Sequence, residues 1–397
     1  MSDSSEVKPP ALGLDASSPV AAPSAPAGER REHRGAASLS ERALVRLPGW
    51  LRSWETLLLV LLLLALALGS TLSPYFLSAS NFSLLISDMM EKALMALTMT
   101  LIVIAGEIDL SVASILGLAS VVLGYTWSHG LPLGLAIAAV LLLGALCGLI
   151  NGLAVTRLGL PSLVVTLGTL ALFRGLAYVV MGDQAVSNFP PAFTNFGFGT
   201  VPGTLIPWPF VLFVVLALLF SLLLHRSTLG RQIYAIGSNK EAARFAGIRV
   251  DDIKLLLFVL SGLVAALAGV VFTARFSNAR ADNALGFELD VVTIVLLGGV
   301  NIFGGSGSLP GVVLSLLIIG VLRNALGLAD ISGDIQNIAV GALLILSVLG
   351  PNVVRRLQEA ASRRHAAESG RSSGLARSAR SVPAEVGAST RERETRR

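Results

Sequence analysis

One cysteine, Cys147, serves all 397 residues, so neither a disulfide framework nor a cysteine metal site can be assembled. Histidine is as scarce: His33, His129, His225 and His365 never recur at i, i+4 spacing, which removes the other common source of metal ligands. No Gly-Lys pair occurs anywhere, and with it goes the G-x-x-x-x-G-K-[ST] loop that cradles nucleotide phosphates. Charge is thin as well. Asp, Glu, Lys and Arg make up 14% of the chain against about a quarter in soluble domains, while 53% is hydrophobic.

What charge there is lies mostly at the ends. Seven of the 30 Lys and Arg fall in Met1 to Ser53 and 11 in Val353 to Arg397, leaving 12 basic and 14 acidic residues in the body. The net charge of +5 therefore belongs to the tails rather than to a binding face, and nucleic acid is excluded as a partner. The first thirty residues hold no apolar run of signal-peptide type. Residues 1–46 and 358–397 have too little apolar surface to offset chain entropy, and both tails are expected to be disordered and cytoplasmic.

Between them, residues 54–352 form a nearly continuous hydrophobic domain. At roughly 20 residues per crossing this predicts an all-α polytopic membrane protein with about ten transmembrane helices, some broken. The expected spans are Trp54 to Ser73, Asp88 to Ala105, Leu110 to Trp127, Pro132 to Ile150, Pro161 to Met181, Trp208 to Leu224, Leu255 to Ala274, Val291 to Asn301, Pro310 to Leu326 and Gln336 to Gly350. With the N-terminus inside, Arg157 and the cations from Arg226 to Lys254 share the cytoplasmic side with both tails. Two connections exceed a turn: Gly182 to Pro207 on the outer face, read equally as a pore cap or an irregular loop, and the cytoplasmic stretch 225–254.

Glycines interrupt the helical pattern twice. In Ala105-Gly-Glu-Ile-Asp-Leu-Ser111, Gly106 ends a span and Asp109 is placed to accept amides of the next helix. In Leu296 to Pro310, five glycines stop a short span at Gly299, and Ser308 with Pro310 reads as the cap and first turn of another. Irregular backbone at membrane depth needs a protein or water-filled surround, as in transporter pathways. Arg174 near mid-span should meet a carbonyl cluster or an acid, whereas Glu288 and Asp290 should mark the outer interface. Five polar residues beside helix ends or breaks, Asp109, Asn151, Thr166, Thr169 and Asn301, are the substrate-pathway candidates. No nucleophile, base and orienting group share a spacing, which argues against an enzyme.

Without a phosphate loop, any ATP would be bound by a partner subunit, and no cofactor is expected on this chain. Ser238 to Ile248 offers that partner a short helix of small residues with one aromatic, Phe245, shaped for a groove; a solvated linker helix fits equally. Glu241-Ala-Ala followed by Gly247-Ile248 is similar to the coupling-loop signature of permease subunits in ATP-binding-cassette importers. Gly106-Glu-Ile-Asp-Leu-Ser-Val112, Asn151-Gly152, Leu160 to Thr169, Phe173-Arg-Gly-Leu-Ala-Tyr178 and Tyr234-Ala-Ile-Gly-Ser-Asn239 resemble the permeases of ribose-type monosaccharide importers over most of Ser80 to Leu349. Glu107 and Ala113 depart from that pattern, standing where the family usually has glycine.

The resemblance implies a multi-pass protein of the bacterial inner membrane that pairs with a second permease subunit. Cytoplasmic ATPase subunits would contact Glu241, Ala242, Ala243, Gly247 and Ile248, and a periplasmic sugar-binding protein would deliver a monosaccharide. The competing expectation is an ion-coupled secondary transporter in which Glu107 and Asp109 carry the charge; a membrane scaffold without flux is the third class.

Overall fold

A computed structural model describes residues 54–345 and 349; both tails lie outside it, as do the last residues assigned to the tenth span. The described chain is helical, with two isolated β-bridges, Val186 to Ala279 and Thr200 to Pro207, and no named strand. In chain order the helices are α1 Trp54–Leu72, α2 Ala79–Ile104, α3 Val112–Ser128, α4 Leu133–Thr156, α5 Ser162–Met181, α6 Pro191–Phe198 and α7 Trp208–Arg226. They continue with α8 Thr228–Ser238, α9 Lys240–Phe245, α10 Val250–Phe276, α11 Phe287–Leu297, α12 Leu309–Leu328 and α13 Gly333–Ile345. Every expected span has its helix. Six of them, α1, α4, α5, α7, α10 and α12, are long and apolar enough to cross a bilayer.

The hydrophobic surplus is spent in two ways. Helix α2 is buried almost without interruption from Met89 to Ile104, the signature of a helix enclosed on all sides by its neighbours. Around it, α10 packs against α2, α3 and α4, and α12 packs against α1 and α2. The outer helices do the reverse. Leu57, Leu63, Leu64 and Leu68 of α1 and Leu218, Leu219 and Leu222 of α7 stay exposed, as lipid-facing side chains must.

Three boundaries differ from the sequence expectation. Helix α2 starts at Ala79 rather than Asp88, because the Ser78 hydroxyl accepts the Asn81 amide and opens the helix more than two turns early. The Gly182 to Pro207 connection contains α6, seated where Gly197 meets the Ala274–Arg275 backbone. The cytoplasmic stretch folds as two helices, α8 and α9. Gly106 and Gly299 do end their helices alike: with φ of 79° and 86°, each lets the next amide reach five residues back, Glu107 to Ile102 and Val300 to Val295.

Candidate functional site

At the face where α2 ends, the chain builds a small protruding hairpin of helices. The Ser227 hydroxyl accepts the Gly230 amide at 3.0 Å to start α8, which buries Ile233 and Ile236. Asn239 then caps α9 through the Ala242 amide at 2.9 Å. Gly247, at φ 82°, closes the turn, with Ile248 N–H donating to the Ala243 carbonyl. Arg244 holds both Asp251 oxygens at 2.8 Å, tying α9 to the start of α10. Of the five coupling candidates, Glu241, Ala242 and Gly247 are exposed, Ile248 is half-buried and Ala243 faces inward. Phe245, the aromatic that the sequence offers to a groove but that is not among those five, is 92% exposed and the most prominent apolar group of the hairpin.

This hairpin rests on the glycine-broken segment after α11. Gly305 N–H donates to the Ile104 carbonyl at 2.9 Å, and the Tyr234 hydroxyl donates to the Gly307 carbonyl at 2.7 Å. Burial pushes the Tyr234 phenol above its ordinary range, so it remains a donor through physiological pH. Gly237 fits against Ile104 O and Gly305 N, where a Cβ has no room. On the other side of the segment, the Trp54 indole donates to Leu297 O at 2.9 Å. Asn301 lies in this segment, exposed, its amide oxygen accepting from Phe303 N–H at 3.0 Å.

Asp109, Asn151 and Thr166 come together in the adjoining interior, each 0% exposed. Asp109 Oδ1 accepts from Ser111 N–H at 3.0 Å and Ser111 Oγ at 2.6 Å, and Oδ2 accepts from Ser261 Oγ at 2.8 Å. Asn151 Nδ2 donates to Ser111 Oγ at 2.8 Å, and Thr166 reaches Ser162 O at 2.8 Å and Ile108 O at 3.3 Å. Thr169, one turn on, is half-buried against Val165 O. The carboxylate thus does bind an amide at the start of α3, but Ser111 occupies the cap position and Asp109 links it to Ser261 of α10.

Replacing Asp109 with Ala will leave these three donors without an acceptor and lower stability by about 1–3 kcal/mol or more. Asn, which keeps an acceptor, will cost less. Thermal unfolding in detergent measures the difference, and equal melting temperatures would show the cage to be ornamental.

Glu107 does not share that cage; it pairs with Lys254 of α10, both side chains largely buried. The two carboxylates of the ion-coupled reading are therefore engaged separately. Arg174 finds the expected carbonyl cluster: Ala281 O at 2.6 Å, Asn283 O at 2.8 Å and Ala113 O at 3.2 Å. Asp290 departs from expectation. It is 6% exposed, bridged by Lys92 and Arg323 at 2.6 Å each, because α11 carries it inward against α2. Glu91, 0% exposed, meets Arg275 at 2.8 Å, and Asp88 meets the same guanidinium at 2.5 Å. These ion pairs were missed because the late start assigned to α2 left Asp88, Glu91 and Lys92 at a surface. Their i, i+3, i+4 spacing on one helix face was the available signal.

The match to known proteins is extensive. Residues 81–348 match the family described as branched-chain amino acid transport system / permease component. The chain is similar to the autoinducer 2 import system permease protein LsrD of Yersinia enterocolitica, 38% identical over 306 residues that cover 76% of this chain and 92% of that protein. The proteins of the same name from Photorhabdus laumondii (37% over 306 residues, 76% and 91% covered) and an Enterobacter strain (38% over 304 residues, 75% and 92% covered) are comparable. No solved structure matches the chain. A bundle of apolar helices with glycine-broken segments, a protruding helical hairpin and near full-length relatives together place this chain in the permease-component family of ATP-binding-cassette import systems, a transporter subunit and not an enzyme.

Proposed function

We propose that the chain forms one half of a two-permease pathway in the bacterial inner membrane. Separate ATPase subunits drive it and an extracytoplasmic binding protein supplies it. Its cargo in this reading is a monosaccharide or a solute of that size, with autoinducer 2, the cargo in the relatives' names, the first to test. The reading is carried by one observation: α9 turns an exposed face outward with Phe245 92% exposed, on a hairpin hydrogen-bonded to the end of the buried helix α2 through the Gly305 segment. An outward-facing helix with an exposed aromatic suits a groove on a partner. The chain has no phosphate loop of its own, so the partner is the subunit that binds ATP.

The hairpin face also carries Arg157, Arg226, Arg231, Lys240, Arg244, Arg249 and Lys254, a cationic excess that supports a cytoplasmic hairpin. ATP-driven closure of the ATPases pulls on α9, and hydrolysis returns it. Asp109, Asn151 and Thr166 are sealed in the conformation described, so they and Thr169 line a passage only in a second, opened conformation; Asn301 would sit at its inner mouth.

Glu241→Arg reverses an exposed charge on the docking helix, and Gly247→Pro demands φ near −65° where the chain holds 82°. Each should reduce ATP-dependent uptake at least tenfold in proteoliposomes containing the complete importer, while the protein still inserts. Accumulation by this chain alone under a proton or sodium gradient, or normal uptake in both variants, would overturn the reading.

A further inference from the structure

At the end of α2 opposite the hairpin lies a cleft of about 560 Å³ between α2, α10, α12 and α13, within the usual 300–1,000 Å³ of small-molecule sites. Its walls are apolar, with Leu84 64% exposed, yet Asp88, Lys92, Arg275 and Arg323 line its floor, with their buried partners Glu91 and Asp290 beneath, in ion pairs left unused by the coupling machinery. At one side two carboxylates, Asp88 and Glu91, share one cation, Arg275. At the other, two cations, Lys92 and Arg323, share one carboxylate, Asp290. The charges sum to zero but are displaced, so the floor is a fixed dipole. Asn81 and Asn324 add a reciprocal amide pair at 2.9 and 3.0 Å. Asp88 is the carboxylate left open, its side chain 68% exposed.

We infer that this cleft is where the cargo first contacts the permease, and that it takes an uncharged polyhydroxylated molecule of monosaccharide size. The inference rests on the importer reading above and supplies the outer contact site that reading lacks. A dipolar floor whose charges are already paired can exchange hydrogen bonds with hydroxyls, which both donate and accept, without acquiring an unbalanced buried charge. A zwitterionic amino acid or a lone ion would need its charges to compete with ion pairs already made at 2.5–2.8 Å.

Cys147 is the chain's only cysteine and is buried, so Leu84→Cys gives this chain one accessible thiol, read on the band of this subunit. The complete importer in nanodiscs is alkylated with a charged maleimide during ATP turnover, with the binding protein either empty or loaded with autoinducer 2 or D-ribose. Ser128→Cys, exposed on the same membrane face, controls for general access. Loading should slow alkylation at position 84 several-fold but not at 128. Asp88→Asn should raise the half-saturating cargo concentration about tenfold, the loss of roughly one charge-assisted hydrogen bond. Unchanged alkylation and unchanged saturation in a preparation that still accumulates cargo would overturn the cleft assignment and leave the importer standing. Slowing by leucine instead would overturn the polyhydroxylated class. Failure to accumulate autoinducer 2, D-ribose or leucine with ATP would overturn the importer reading and this inference with it.

Discussion

Gly148→Leu is expected to abolish recovery of folded protein. Helices α4 and α10 approach so closely that a Cβ on Gly148 would land on the Phe258 carbonyl, and one on Gly262 would land on the Gly144 carbonyl and the Gly148 amide. Gly144, Gly148 and Gly152 recur every four residues on α4 and meet Phe258, Gly262 and Ala266 of α10, the small-residue seam by which membrane helices pack backbone to backbone. A side chain there must push the two helices apart, because backbone cannot swing aside as a flexible side-chain tip can. Overpacking an ordinary core costs about 1–3 kcal/mol, and separating this seam would also strain the hydrogen-bonded chain from Asn151 of α4 through Ser111 and Asp109 to Ser261 of α10. Gly134→Leu is the matched control on α4, with nothing within 4 Å of its Cβ. Size-exclusion profiles of fluorescent fusions should show a single peak for Gly134→Leu and aggregate for Gly148→Leu; the same profile for both would refute the seam.

Arg275→Met should be nearly as damaging, for an electrostatic reason. It leaves Glu91, 0% exposed, without its guanidinium partner. Stranding one member of a buried pair costs about 3–5 kcal/mol, whereas replacing both by apolar groups of similar size is often neutral. The double variant Glu91→Leu/Arg275→Met is therefore expected to melt well above Arg275→Met, close to the unsubstituted protein. Melting temperatures of the four proteins in one detergent complete the cycle. If the double variant is no more stable than Arg275→Met, the two residues are not coupled and the pair does not hold α2 to α10.

These two contacts also mark what the linear chain conceals. The spans were legible because bilayer thickness imposes runs of about 20 apolar residues, and their ends were legible where Gly106, Gly299 and Ser308 supply the chemistry of helix termini. Arg174 among carbonyls was legible because a mid-span cation has few other destinations. Glu91 with Arg275, 184 residues apart, was not, since nothing local encodes a partner so distant. The early start of α2 was hidden by Asn81, Ser83 and Ser87, polar residues that resemble a loop until Phe76 O and Asn324 are seen to satisfy the Asn81 amide. At the hairpin, the small residues and the closing glycine could be read directly, but which of them face outward depends on how α9 leans on α10 through Arg244 and Asp251.

Helix α2 contains no glycine or proline in its 26 residues, so it has none of the usual places to kink and behaves as a rod about 39 Å long. One tip stands in the dipolar cleft at Asn81 and Asp88; the other, Ile104, is bonded to the loop beneath α8. Such a pushrod reports a tilt at either tip to the opposite membrane surface at once, with no chain of rearranging side chains between them.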